Sequence, residues 1–131
     1  FTTINECYMN DRQIILIADD ESLNYLFYSE IIDKNKYDLI YVDNGNDAIR
    51  VVREKGNDIS LVLMDMKMPG LDGFSATKEI RKFNPSIPII AQTAYAFRED
   101  FENAISAGCN DYISKPIHEE ELLLKIEKLI G

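Results

Sequence analysis

The sequence predicts an alternating α/β fold in which a parallel sheet carries helices on both faces. Five short apolar runs lack polar alternation, which marks strands buried on both sides. Between them lie segments whose apolar residues recur every three or four positions. Turn-forming residues divide the two kinds of segment, and repeated βα units of this sort build a parallel sheet.

In chain order, residues 1–12 lack periodicity and read as a linker or tail, which leaves 13–131 as one domain. Gln13-Ile14-Ile15-Leu16-Ile17-Ala18 is the first strand. In the first helix Leu23, Leu26, Phe27 and Ile31 form the expected core stripe, with Tyr25, Tyr28 and Ile32 on the opposite side. Leu39-Ile40-Tyr41-Val42 is the second strand, and Asn44-Gly45 closes it. Asn46 or Asp47 is expected to cap the helix that follows, whose core positions are Ala48, Ile49 and Val52. The third strand is Leu61-Val62-Leu63-Met64, and a turn-rich loop with Pro69-Gly70 and Asp72-Gly73 leads to a helix marked by Phe74, Thr77, Ile80 and Arg81. Pro88 fits the fourth run, Ile87 to Ala91, only near its start or at an unpaired position. Phe97, Phe101 and Ile105 space the fourth helix, and Gly108 stands where a left-handed C-terminal residue is wanted. Tyr112-Ile113-Ser114 is the short fifth strand, and Leu122, Ile126, Leu129 and Ile130 mark the last helix.

The chain has 131 residues, 14 Lys plus Arg against 23 Asp plus Glu, and a net charge of −9. Its 46% apolar and 28% charged residues fit a single globular domain. No apolar stretch approaches the ~20 residues of a membrane span, and no basic region precedes an apolar run near the start. The acidity argues against a nucleic-acid surface, since phosphate backbones select Lys and Arg. Cys7 and Cys109 have no metal-ligand spacing and read as reduced thiols of a cytoplasmic protein. Without an initiator methionine, the chain is expected to be a piece of a longer protein.

In an open α/β sheet, ligands bind beyond the carboxyl ends of the strands. There the sequence places Asp19 and Asp20 after the first strand, Asp65 after the third, Thr93 after the fourth and Lys115 after the fifth. Three carboxylates packed together repel, and a divalent cation relieves the repulsion. All-oxygen ligands select a hard ion, Mg²⁺ with Mn²⁺ as its near substitute. Metal and Lys115 together bring the charge of the three acids near zero, a pocket suited to a phosphoryl group. A carboxylate can then act as nucleophile and form an aspartyl phosphate. No Ser-His-Asp or Cys-His arrangement competes, and the single histidine, His118, reads as a surface residue near a helix start.

The strings Ile-Leu-Ile-Ala-Asp19-Asp20-Glu21, Leu-Val-Leu-Met-Asp65-Met-Lys-Met-Pro69-Gly70-Leu-Asp72-Gly73, Thr93-Ala94 and Lys115-Pro116 closely resemble the receiver domain of two-component response regulators. The resemblance implies a flavodoxin-like (βα)5 doubly wound five-stranded sheet of order 2-1-3-4-5. It implies that Asp65 is the phosphoacceptor, taking phosphate from a histidine kinase or a histidine phosphotransfer domain. Asp20 and Asp65 would bind Mg²⁺ directly with the Lys67 backbone carbonyl, and Asp19 through water. Lys115 would pair with the acceptor, Thr93 would bond the phosphate, Tyr112 would be the aromatic switch, and the Lys115-Pro116 bond would be cis. Lys67 and Tyr95 would tune the lifetime of the phosphoryl bond, with a bulky Tyr95 lengthening it. Receivers present the first helix to the donor, so Tyr25, Tyr28 and Ile32 are the expected docking contacts.

The wording around Asp65 and Thr93 looks most like the receiver of a hybrid sensor histidine kinase, placed in the cytoplasm or in the cytoplasmic part of a membrane-anchored sensor. The alternatives are a response regulator without its effector domain and a stand-alone receiver. A haloacid-dehalogenase-type phosphohydrolase is disfavoured, because Lys67 stands where its second acid belongs and the Asp19-Asp20 pair has no counterpart there. The intact acids, threonine and lysine argue against a degenerate, binding-only receiver.

Overall fold

A computed structural model describes residues 12–94 and 97–131. The expected linker therefore lies outside the described residues except for Arg12, and so do Cys7 and Tyr95. Arg12 is tied to the domain: its guanidinium donates to the Asp38 carboxylate at 3.0 Å and to the carbonyls of Lys34, Asn35 and Tyr37.

The strands are β1 (Gln13–Ala18), β2 (Tyr37–Val42), β3 (Ile59–Asp65), β4 (Ile89–Thr93) and β5 (Asp111–Ser114). The helices are α1 (Ser22–Ile31), α2 (Gly45–Lys55), α3 (Gly73–Phe83), α4 (Arg98–Ala107) and α5 (Glu119–Ile130). All strand pairs are parallel, in the order β2-β1-β3-β4-β5, as the resemblance implies. Pro88 sits just ahead of β4, where its missing N–H is harmless and its carbonyl accepts from the Val62 N–H at 2.9 Å. No helix among the described residues is long and apolar enough to cross a membrane.

Because side chains alternate along a strand, the sheet buries two cores. Leu16, Val62, Met64, Ile89 and Ala91 pack with Ala48, Val52, Ala76, Ile80 and Ala104 of α2, α3 and α4. Ile15, Ile17, Leu61, Leu63, Ile90 and Ile113 pack with Tyr28 of α1, the adjoining Ile32, and Leu122 and Ile126 of α5. Asn44, not Asn46 or Asp47, caps α2: its side chain accepts from the Asp47 N–H at 2.8 Å, two residues ahead of the nearer expected position. Gly108 ends α4 at φ 116°, the left-handed turn expected of it.

The phase of α1 corrects the sequence reading. Tyr28 and Ile32 are buried, and Tyr25 is half-buried with its ring stacked on Tyr41 at 4.5 Å. Leu23, Leu26 and Phe27 face outward, with 74%, 53% and 37% of their surface exposed. The helix is apolar nearly all round, so hydrophobic spacing alone could not choose a face. The polar contacts choose it: Asn24 turns inward to donate to both Asp19 oxygens at 3.3 and 3.1 Å, and Tyr28, one turn on, follows it. Likewise α4 lays Ala104 and Ala107 on the sheet and leaves Phe97, its cap, and Ile105 exposed.

Candidate functional site

Four strands deliver side chains to one end of the sheet. Ile17, Leu63, Ile90 and Ile113 share the core beneath α1 and α5, and two residues further along each strand come Asp19, Asp65, Gln92 and Lys115. Thr93, at the end of β4, turns to the opposite face. Carboxylate oxygens of Asp19, Asp20 and Asp65 lie within 4.8 Å of one another, so all three predicted acids converge. Asp19 and Asp65 are buried and Asp20 is exposed.

Lys115 reaches across β4 to bond Asp65 Oδ2 through its Nζ at 3.0 Å, with Asp19 Oδ2 at 3.8 Å. The Lys67 backbone N–H donates to Asp65 Oδ1 at 3.0 Å, and the Lys115-Pro116 bond is cis. Burial raises the Asp65 carboxyl, the Lys67 N–H and Lys115 oppose the rise, and Asp19 adds to it; the outcome is a pKa of about 6. Burial by itself would lower the Lys115 ammonium, but its bond to Asp65 and the charges of Asp65, Asp19 and Glu21 raise it instead. A buried carboxylate that one cation compensates only in part, beside two further acids, is a site for a hard divalent ion.

Several supporting residues escaped the sequence reading. Asn24 and the Glu21 backbone N–H hold the Asp19 carboxylate, and the Tyr41 hydroxyl donates to the Asp19 carbonyl at 2.8 Å. Asn24 lies within the first turn and a half of α1, close after the acidic turn, which was the one available signal. Tyr112 is half-buried, its ring edge-on to Phe101 with centroids 4.3 Å apart. Thr93 is nearly buried, at 5% exposure. The expected docking residues Tyr28 and Ile32 lie in the core and only part of Tyr25 reaches the surface, for the reason of helix phase given above.

Residues 15–127 match the response regulator receiver domain family. The chain belongs to that family. It is 34% identical over 122 residues to the sensor protein GacS of Pseudomonas syringae pv. syringae, a match covering 89% of the chain and 13% of GacS. The receiver thus spans a small part of the length of such curated relatives. Its fold matches the receiver domain of the sensor histidine kinase PA1611 of Pseudomonas aeruginosa PAO1, solved with magnesium in the active-site cleft. The TM-score is 0.81 at 36% identity, over 92% of this chain and 98% of that one. The receiver domain of Ssk1 of Saccharomyces cerevisiae, solved with the histidine phosphotransfer protein Ypd1, matches at TM-score 0.84 and 28% identity, over 92% and 90% of the two chains. This receiver domain is a phosphorelay module, and its acidic cluster fits a Mg²⁺ site.

Proposed function

We propose that Asp65 accepts a phosphoryl group from a phosphohistidine. An Asp65 carboxylate oxygen attacks phosphorus, the P–N bond to the imidazole breaks, and the imidazole leaves with a proton from solvent. The reading is carried by the convergence of Asp19, Asp20 and Lys115 on Asp65, a carboxylate that burial has made more basic. Asp19, Asp20, Asp65 and the Lys67 backbone carbonyl would hold Mg²⁺, or Mn²⁺ in its place. When bound, the ion supplies positive charge against the phosphoryl oxygens. Lys115 neutralises a second part of that charge. Thr93, at the end of β4, bonds the phosphoryl group and draws the half-buried Tyr112 with it as the switch.

The donor is a histidine kinase or histidine phosphotransfer domain, docked on Leu23, Leu26 and Phe27 of α1. Phe27 lines a groove with Lys115, Pro116 and Ile117, and Leu23 and Leu26 are exposed on the same helix. The likeness to the receiver solved with Ypd1 supports such a partner. The likeness to GacS and to the PA1611 receiver supports a hybrid sensor histidine kinase as the parent protein. The test is mass spectrometry after incubation with a small phosphodonor, with and without Mg²⁺. One phosphoryl adduct is expected on the native chain with Mg²⁺ and none on Asp65→Asn; equal labelling of both would overturn the assignment.

A further inference from the structure

Between the strand that ends in Asp65 and the strand that leads to Lys115, β4 carries a buried amide that the reaction outlined above does not use. Gln92 is the register partner of Asp65, on a parallel strand ~5 Å away, and points to the same face. It is fully buried, and so is Tyr28, whose hydroxyl donates to Gln92 Oε1. The Lys115 to Asp65 contact spans β4, so Gln92 forms the floor under it. Among the described residues, the Gln92 Nε2 amide is the one buried side-chain polar group with no hydrogen-bond partner. A buried amide donor left unpaired destabilises a protein. Burial raises the Tyr28 phenol pKa first, and the charges of Asp19 and Asp65 raise it further, so the pair lies within the electrostatic field of the site.

We propose that Tyr28 and Gln92 are a positioning pair for the phosphorylated state: Tyr28 fixes the Gln92 amide, and its Nε2 donates to the acceptor group once Asp65 carries the added phosphoryl charge. The inference rests on Asp65 being the phosphoacceptor. In the unmodified protein Lys115 and the Lys67 N–H already serve the two Asp65 oxygens, and the amide is left over. Phosphorylation adds acceptor oxygens and negative charge at that point. An amide held ready on a strand then stabilises the product state without rearrangement. A leucine or valine in place of Gln92 would suit the surrounding core better and could not do this.

The test measures Mg²⁺ affinity, beryllofluoride affinity at saturating Mg²⁺ and thermal midpoint, by calorimetry, for native protein, Gln92→Leu, Tyr28→Phe and the double variant. Gln92→Leu is expected to weaken beryllofluoride about tenfold, the size of a lost bond to a charged group, while Mg²⁺ affinity stays within about twofold. Tyr28→Phe weakens it less, and the double variant equals Gln92→Leu instead of the product of the two, because both act through one donor. The double variant also melts no lower than the native protein, since an apolar pair replaces an incompletely bonded one. Gln92→Met, which keeps the length without the donor, reads the same quantity should leucine pack badly. Beryllofluoride affinity within twofold of native in both Gln92 variants overturns the proposal, as does equal weakening of Mg²⁺ and beryllofluoride together with a lowered midpoint. If the native chain itself fails to bind beryllofluoride, the acceptor assignment falls and takes this inference with it.

Discussion

The raised Asp65 pKa makes the metal-free domain lose stability as the pH rises. The carboxyl titrates near 3.8 when exposed and near 6 in the folded chain. Between those values the native state holds a proton that the unfolded state has released, so νU − νN is −1. Stability then falls by ~1.4 kcal/mol per pH unit, or about 3 kcal/mol in all. For a domain of this size that is a drop of about 10 °C in Tm. The contribution is intact below about pH 4 and lost above pH 6. Asp65→Asn lacks this ionisation, and the rest of the chain is common to both proteins. The assay is therefore the difference in Tm between native and Asp65→Asn in EDTA, from pH 4.5 to 8. The native protein should lose ground to the variant through pH 6, and millimolar Mg²⁺ at pH 7.5 should restore it. A difference that stays flat with pH, or that favours the native protein more at high pH, would show that burial does not control this carboxyl.

Other substitutions probe the neighbouring parts. Lys115→Met removes a group that lowers the Asp65 pKa, so that carboxyl should titrate above 6, and Mg²⁺ affinity by calorimetry should fall more at pH 6 than at pH 8. Gly73→Ala would put a Cβ 2.2 Å from the Asp65 carbonyl oxygen and 2.7 Å from Met66 Cα, so urea unfolding should show a loss of about 3 kcal/mol, with weakened Mg²⁺ binding because the peptide displaced is the one that carries the acceptor. Leu26→Asp and Phe27→Asp should slow transfer from a phosphohistidine donor at least tenfold, by stopped-flow or gel assay, and leave labelling by a small phosphodonor unchanged.

The strands and the acidic cluster were legible in the sequence because two constraints coincide there. A strand buried on both faces is apolar along most of its length, so Leu61 to Met64 stand out, and the polar residues that follow such a run mark the sheet edge where ligands bind. Asp19, Asp65, Thr93 and Lys115 all lie at such edges, and the structure brings the acids and the lysine together. Helix faces were less legible. In α2 and α3 the core positions, Ala48, Val52, Thr77 and Ile80, stand among charged residues, and the sequence reading placed them inside, where they are buried. In α1 large apolar residues occupy more than one side, in α4 the stripe of Phe101 and Ile105 competes with Ala104 and Ala107, and the side that meets the sheet is chosen by features that hydrophobic spacing does not register. For α4 the feature is close approach, which favours Ala104 and Ala107 over Phe97 and Ile105. For α1 it is hydrogen bonding.

The case of α1 links the chemistry to recognition. Asn24 bonds Asp19, and Tyr28 bonds Gln92 beside Asp65, so two polar contacts to the floor and rim of the site fix the rotation of the helix. With Asn24 and Tyr28 inward, Phe27 lies at the groove beside Lys115 and Pro116, and Leu23 and Leu26 point to solvent. At ~100° per residue, no rotation could bury those apolar residues and also keep Asn24 and Tyr28 on the site. Exposing them loses some hydrophobic stabilisation, and the same rotation completes the acidic cluster and sets an apolar strip beside the acceptor. Tyr28→Phe would therefore be a cleaner separator than any surface change. It removes one of the two contacts that fix the rotation and keeps the core volume near native. If the phase is set by the polar contacts, amide exchange in α1 should rise and transfer from a phosphohistidine donor should slow, while labelling by a small phosphodonor changes less. Unchanged exchange and unchanged transfer would mean that Asn24 and the flanking loops hold the helix without Tyr28.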